Sequence, residues 1–376
     1  MHAKSLKCGE CGEEYPPEEL RYRCGECGSS LDVSYDRSEI AGLSWNELRS
    51  REFSHFRYRE FLPVVEEDHM LHMGGGGTPT VGSKSLGEVI DSELLFKLES
   101  LNPTGSFKDR GTSVELGKAL DHGEDEVVVA STGNMGSSIA AYTARSGVEA
   151  RIYVPEDITG PKRKQMETHG AELVEVEGGY SRAAEKAWSD WEEEGVYLMG
   201  DYPYRGEGEK TLGFEIADGL GKRDLSSVSI VLPVGNGTLL HAAWKAFQEM
   251  EDTGLLEDVP RMVGVQAEGC STVVKALEKG YEEVEPVEEA DTVAGAIACA
   301  DPLDGDHAKE AIEESGGFGV SVTDEEILEA KKLLAEREGI YAEEAGAAGL
   351  AGILKESRKF EDGTVVCPVT GHGLKS

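Results

Sequence analysis

Four cysteines stand in two tight pairs near the start of the chain. Cys8 and Cys11 form one C-x-x-C and Cys24 and Cys27 a second, with twelve residues between the pairs and a glycine after each cysteine. Glycine lets the backbone curl, so that two thiolates from each pair reach one ion and four complete a tetrahedral shell. Zinc or iron suits that shell, and four thiolates leave no open coordination position, so the metal is expected to be structural. The gap is slightly shorter than the commonest zinc-ribbon spacing, but leaves room for a hairpin through Pro16 and Pro17. A redox-active C-x-x-C is the rival, although one pair would suffice for that and no thioredoxin-like context surrounds these. Cys270, Cys299 and Cys367 lie in apolar or small-residue surroundings and read as buried thiols.

A second set of residues is spread along the chain. Lys108 follows a small-residue turn, Asn102-Pro103-Thr104-Gly105-Ser106-Phe107, at an expected helix start. A lysine facing a helix N-terminus and the neighbouring Arg110 has its ammonium form disfavoured, which favours the free amine that attacks an aldehyde. Taken alone, Lys-Asp-Arg also describes an ordinary solvated face. Ser131-Thr132-Gly133-Asn134 offers amides and hydroxyls to a carboxylate or a phenolate-type oxygen, or is a plain turn. Gly235-Asn236-Gly237-Thr238-Leu239 lets the backbone approach a phosphate that a helix N-terminus then stabilises. It has neither the NTPase-loop pattern nor G-x-G-x-x-G. Thr370, in Thr370-Gly371-His372-Gly373, offers a neutral hydroxyl to a ring nitrogen, or ends the chain in a turn.

The elements that must position these groups alternate. Strands are expected at 94–98, 127–130, 150–154, 173–176, 230–234, 262–266 and 365–369, with helices at 113–120, 137–145, 161–169, 181–194, 239–249, 324–338 and 345–357. Met73-Gly74-Gly75-Gly76-Gly77-Thr78-Pro79 is a loop by composition. Short apolar strands alternating with helices mean an α/β protein with open, mostly parallel sheets, whose ligands sit at the carboxyl ends of strands.

In wording and order, Asn-Pro-Thr-Gly-Ser-Phe-Lys-Asp-Arg-Gly, Ser-Thr-Gly-Asn, Pro-Val-Gly-Asn-Gly and Thr-Gly-His-Gly-Leu-Lys resemble the threonine synthases of the fold-type-II pyridoxal-phosphate family. Pro203-Tyr204-Arg205-Gly206-Glu207-Gly208-Glu209-Lys210-Thr211 and Thr323-Asp324-Glu325-Glu326-Ile327-Leu328 extend the likeness, which runs from about Gly77 to the C-terminus. The resemblance implies a tryptophan synthase β-like fold: two open, mostly parallel sheets flanked by helices, behind a zinc-ribbon-like module at 1–45. Segments 46–119 and 205–376 would form a large cofactor domain and 120–204 a small mobile one.

It further implies that Lys108 holds pyridoxal phosphate as a Schiff base, with Phe107 beside it. Asn134 would meet the phenolic oxygen, Gly235, Asn236, Gly237, Thr238 and Leu239 the phosphate, and Thr370 the pyridine nitrogen. The implied reaction turns O-phospho-L-homoserine and water into L-threonine and phosphate. Ser131 and Thr132 would touch that small amino-acid substrate, and Arg205 and Lys210 its phosphate. The cup departs from the family's Gly-Asn-Ala-Gly-Asn, and Glu343-Glu344-Ala345-Gly346-Ala347-Ala348-Gly349 from its Glu-Pro-Ala-Ser-Ala-Ala-Ser. These departures leave room for a serine or threonine dehydratase, or for a β-replacement enzyme such as cysteate synthase. A catalytically dead α/β scaffold behind an interacting zinc ribbon is a further alternative.

The chain has 376 residues, enough for two domains at roughly 150 residues each and a small appendage. With 37 basic against 73 acidic residues, the net charge of −36 argues against nucleic acid and anionic membrane as partners. The acids are spread along the chain, as expected of a host with a salty cytoplasm where screening tolerates self-repulsion. No apolar run approaches the roughly 20 residues of a membrane span. Met1-His2-Ala3-Lys4 leads directly into the cysteine motif, so a cytoplasmic location is expected, and homodimers are usual among such relatives.

Overall fold

Short runs of β-branched and bulky apolar residues sit within strands of five to seven residues that form the parallel core of the sheets. A computed structural model describes residues 3–156, 158, 160–200, 202–361 and 363–376. Met1 and His2, read for a leader, and Asp201, beside the Pro203–Thr211 likeness, lie outside them. Three strands belong to the cysteine module: β1 (Ala3–Cys8), β2 (Glu14–Tyr15) and β3 (Leu31–Tyr35). Ten more follow: β4 (Thr80–Gly82), β5 (Glu93–Lys97), β6 (Glu126–Ala130), β7 (Glu149–Pro155), β8 (Glu172–Val176), β9 (Tyr197–Leu198), β10 (Val228–Pro233), β11 (Arg261–Ala267), β12 (Phe318–Val322) and β13 (Thr364–Pro368).

The larger sheet runs β12-β11-β10-β13-β5-β4, parallel throughout except for the antiparallel edge strand β4. The smaller sheet, β8-β7-β6-β9, is parallel. Strands buried on both faces lack alternation, and Val228–Pro233 is buried at every position. The fold class is as expected.

Several boundaries differ from expectation for identifiable reasons. The helix expected from Ser113 begins at Lys108 and runs to Asp121. Its first turn carries Asp109 and Arg110, which are buried in polar contacts, so an apolar period could not reveal it. The helix expected over 324–338 is α-helical from Asp324 to Leu333 and continues as a π turn to Glu338. Thr323 and Glu326 cap its start reciprocally. The hairpin expected at Pro16-Pro17 instead joins β1 to β2, with Lys7 opposite Glu14. Pro17 has no N–H to give a ladder, and the segment beyond it leads to the second cysteine pair.

The glycine tract at 74–77 is a packed loop. Gly77 sits at φ +59, and a Cβ there would lie 2.0 Å from the Phe53 carbonyl oxygen. Its amide donates to Glu215 Oε1 at 2.7 Å, and Gly76's to Asn102 Oδ1 at 2.8 Å. This loop therefore covers a buried charge cluster behind the Lys108 helix. Among the described residues no helix is long and apolar enough to cross a membrane.

Candidate active site

The carboxyl ends of β6 and β10, the turn after β5 and the segment after β13 converge on a cavity of about 520 Å³ between the two sheets. The turn after β5 is stitched to the chain end. Phe107 N–H donates to Thr370 O at 3.0 Å, and His372 N–H to Gly105 O at 2.9 Å. Gly105, at φ +85, packs against Lys375, whose Nζ donates to Thr104 O at 2.7 Å. Burial pulls the Lys375 ammonium down to about 8. Lys108 thus opens its helix beside Thr370, and both line the cavity with Phe107.

Lys108 Nζ lies 3.0 Å from Glu209 Oε1 and 4.7 Å from the centre of the Phe107 ring. The lysine side chain is 18% exposed, the glutamate 0%. Arg110, expected to disfavour the ammonium form, spends its guanidinium on other partners. It is fully buried and grips Glu99 and Glu215, each at 2.7 Å, while Lys97 pairs with Glu215 at 2.7 Å. Burial opposes ionisation of both carboxyls, but the Arg110 charge, aided by Lys97, holds them below the ordinary carboxylate value. Two cations and two anions therefore cancel behind the site. Asp109 ties the turn down by accepting from Thr104 Oγ1 and Ser138 Oγ, each at 2.6 Å.

On the facing wall, Ser131 Oγ accepts from Gly136 N–H at 2.9 Å, shaping the turn that brings Ser131, Thr132 and Asn134 to the cavity. Asn134 Nδ2 donates to Glu343 Oε1 at 2.5 Å, and Glu343 pairs with Lys162 at 3.1 Å. After β10, the cup residues Gly235, Asn236, Gly237, Thr238 and Leu239 line the cavity and begin the Thr238–Asp252 helix. Gly237 is at φ +97, and a Cβ on it would meet the Asp304 carbonyl oxygen at 2.4 Å. A Cβ on Gly235 would lie 3.0 Å from Ile297 Cα. The first amides of a helix lack intrahelical acceptors and favour an anion.

The arrangement suits a planar aldehyde with a phosphate tail. An amine and a glycine-lined helix N-terminus line the same cavity. Asn134 Oδ1 is buried with no hydrogen-bond partner, the kind of atom a bound group would satisfy. Residues 71–371 match the family model of the pyridoxal-phosphate dependent enzymes. The chain is 40% identical to a threonine synthase of Methanocaldococcus jannaschii and 42% identical to one of Methanosarcina acetivorans, in each case over 98% of this chain and 92% of the relative. This chain belongs to the threonine synthases of the pyridoxal-phosphate dependent family. Among solved structures, this threonine synthase family member is similar to a threonine deaminase of T.th., with TM-score 0.67 and 27% identity over 78% of this chain and 92% of the other. A maize serine racemase shares the fold, with TM-score 0.68 at 21% identity over 78% and 89% of the two chains.

Not every expected residue reaches the cavity of this family member. Arg205 and Lys210, expected at a leaving phosphate, do not line it. Arg205 is fully buried and holds Glu115 at 2.5 Å and the Gly200 carbonyl at 2.9 Å. Lys210 is fully buried against Glu207 and Glu249 and lies over the Tyr35 ring at 4.1 Å. Arg205 lies on the helix Pro203–Glu209 and Lys210 caps its end; that helix packs against the Lys108 helix, so both side chains are enclosed.

Cys299, expected as a buried thiol, is half-buried and lines the cavity, whereas Cys270 and Cys367 are buried. Burial pushes the Cys367 thiol up to about 12. Glu209 and Glu343 are functional candidates that motif reasoning passed over, since nothing in their spacing brings them to Lys108 and Asn134. The sulfurs of Cys8, Cys11, Cys24 and Cys27 all lie within 4.8 Å of one another, as one ion requires.

Proposed function

We propose that this chain binds pyridoxal 5'-phosphate through Lys108 and converts O-phospho-L-homoserine and water to L-threonine and inorganic phosphate, as a lyase of threonine biosynthesis. The observation that carries the proposal is that the Lys108 amine and a glycine-lined helix start line one cavity. When bound, pyridoxal phosphate supplies an electron sink that makes protons at substrate Cα and Cβ removable.

The chain's own residues do the rest. The backbone amides at 235–239 hold the phosphate tail, and Thr370 presents a hydroxyl to the ring nitrogen. Asn134 takes the phenolic side once its amide is shared with Glu343. Lys108 Nζ carries protons between substrate carbons, and Glu209, 3.0 Å away, steadies its charged form. Ser131 and Thr132 receive the substrate carboxylate. Lys162, paired at 3.1 Å with Glu343 of the cavity wall, offers a cation to a departing phosphate.

The assay is phosphate and threonine release from O-phosphohomoserine, run beside keto-acid formation from serine and threonine. Keto acid alone would replace the synthase by a dehydratase, the alternative that the likeness to a threonine deaminase favours. The 40–42% identity to threonine synthases over nearly the whole chain weighs more.

Four accompanying assignments belong to the same proposal. The cysteine module (1–45) holds one structural zinc, and metal analysis returning no stoichiometric metal would remove it. Residues 46–119 and 205–376 form the large domain, and 120–204 a small domain that closes on substrate and excludes water. Lys162–Glu343 and Gln165–Lys375 tie the two together, the latter at 2.9 Å. The enzyme works in the cytoplasm as a homodimer. The charge of −36 fits a salty one, so the melting temperature rises with added KCl.

A further inference from the structure

The cysteine module does not hang free of the catalytic body. Its second half reaches the phosphate cup through four side chains. Ser30, three residues after Cys27, has its Oγ 3.4 Å from His307 Nδ1. That nitrogen is 3.7 Å from Asp304 Oδ1, and the other Asp304 oxygen accepts the hydroxyl proton of Thr238. Asp304 also bonds the cup through its backbone, donating its N–H to Asn236 O at 3.0 Å, while Leu303 N–H donates to Asn236 Oδ1 at 2.6 Å.

A parallel contact runs beside this one. The His307 ring stacks on His241 at 4.7 Å between centres, and His241 Nε2 lies 3.1 Å from Asp32 Oδ2 on β3. Both ends are fitted without slack. A Cβ on Gly9, next to Cys8, would lie 2.8 Å from His307 Nε2, and one on Gly237 would lie 2.4 Å from the Asp304 carbonyl. Glycine is thus required where Asp304 meets the cup, and at Gly9 any side chain would push on the His307 ring.

We propose that His307 and Asp304 are positioning residues that brace the cofactor's phosphate cup against the cysteine module. The inference rests on residues 235–239 being that cup. His307 touches neither substrate nor cofactor; it acts through Asp304 on Thr238 and Asn236. Asp304 beside His307, against the opposing effect of burial, holds the imidazole up to about 9, so the imidazole is charged at neutral pH. Without it, the loop at 299–304 loses its outer support and the cup amides lose their common aim.

The test uses full-length protein with its module metal verified by metal analysis. Apo protein is titrated with pyridoxal phosphate by absorbance, and the phosphorus NMR resonance of the bound phosphate is recorded. His307→Ala is expected to weaken binding about tenfold and to move or broaden that resonance, with metal content and circular dichroism unchanged. His307→Asn, whose amide can replace Nδ1–H, is expected to restore most of the affinity. Asp304→Asn, which keeps an acceptor for Thr238 but loses the charge pair, supplies an intermediate loss should His307→Ala fail to fold. Equal affinity and an unmoved resonance in His307→Ala or Asp304→Asn overturn the brace alone. Wild-type protein that binds no pyridoxal phosphate overturns the reading of the cup and the brace with it.

Discussion

Lys108 and Arg110 lie two residues apart on one helical turn, and their surroundings could hardly differ more. Lys108 looks into a cavity, with the Glu209 carboxylate at 3.0 Å. Arg110 is enclosed, gripping Glu99 through Nε and NH2 and Glu215 through NH1 and NH2, with Lys97 balancing the count. Thr78, Thr211, Asn102 and the amide of Gly77 take up remaining donors and acceptors. A buried charge satisfied on all sides cannot do chemistry, but it fixes the backbone from which its neighbour works. An amine that lines a cavity can react. The same turn thus separates holding from reacting by which face of the helix each side chain leaves.

The comparison breaks first at Lys108. Lys108→Ala is expected to lower threonine formation by roughly a thousandfold or more, with an unchanged melting curve. Preserved turnover would move the reacting amine elsewhere.

Arg110→Met should do the reverse. It leaves Glu99 and Glu215 buried with Lys97 beside Glu215, costing about 3–5 kcal/mol in chemical denaturation. Adding Glu99→Gln should return part of that loss, because the uncompensated charge is then removed. A variant as stable as wild type would show that the cluster is relaxed by water.

Glu209→Gln sharpens the other side of the comparison. It keeps the size of the group facing Lys108 but removes its charge, and kcat should fall about tenfold with its acid limb displaced and stability little changed.

A pH-dependent effect is expected at His55, which packs behind the Lys108 helix. Its Nε2 meets Ser113 Oγ at 2.8 Å and its Nδ1 the Gly75 carbonyl at 2.6 Å. Burial pulls its imidazole from 6.5 down to about 4. The unfolded chain therefore takes up the proton first, so this contribution is complete above pH 6.5 and is lost as pH falls toward 4. His55→Gln should flatten the stability slope in that window, worth about 3 kcal/mol at most by linkage. An unchanged slope would place the acid sensitivity elsewhere.

Much of this was legible in the residues. The strand and helix rhythm follows from apolar runs, and Pro161 with His169 bounds a helix at both ends as expected. The glycine loop at 235–237 marks a close backbone approach because glycine alone tolerates φ +97 there. The first turn of the Lys108 helix was not legible, since its buried face is polar and imitates a solvated one. Arg205 and Lys210 misled for the same reason: a cation in a motif looks available until its carboxylates, Glu115 for one and Glu207 and Glu249 for the other, are found in space.

Local order in the chain determined which chemistry is on offer: paired thiols, one lysine at a turn, and two glycine-rich strand ends. Those depend on backbone freedom and residue type within a few positions. Folding alone decided which charges are spent on one another and which remain for a ligand, because Glu209 reaches Lys108 across 101 residues and His307 reaches Ser30 across 277. Coulomb energy depends on distance and burial, and neither is written in sequence separation.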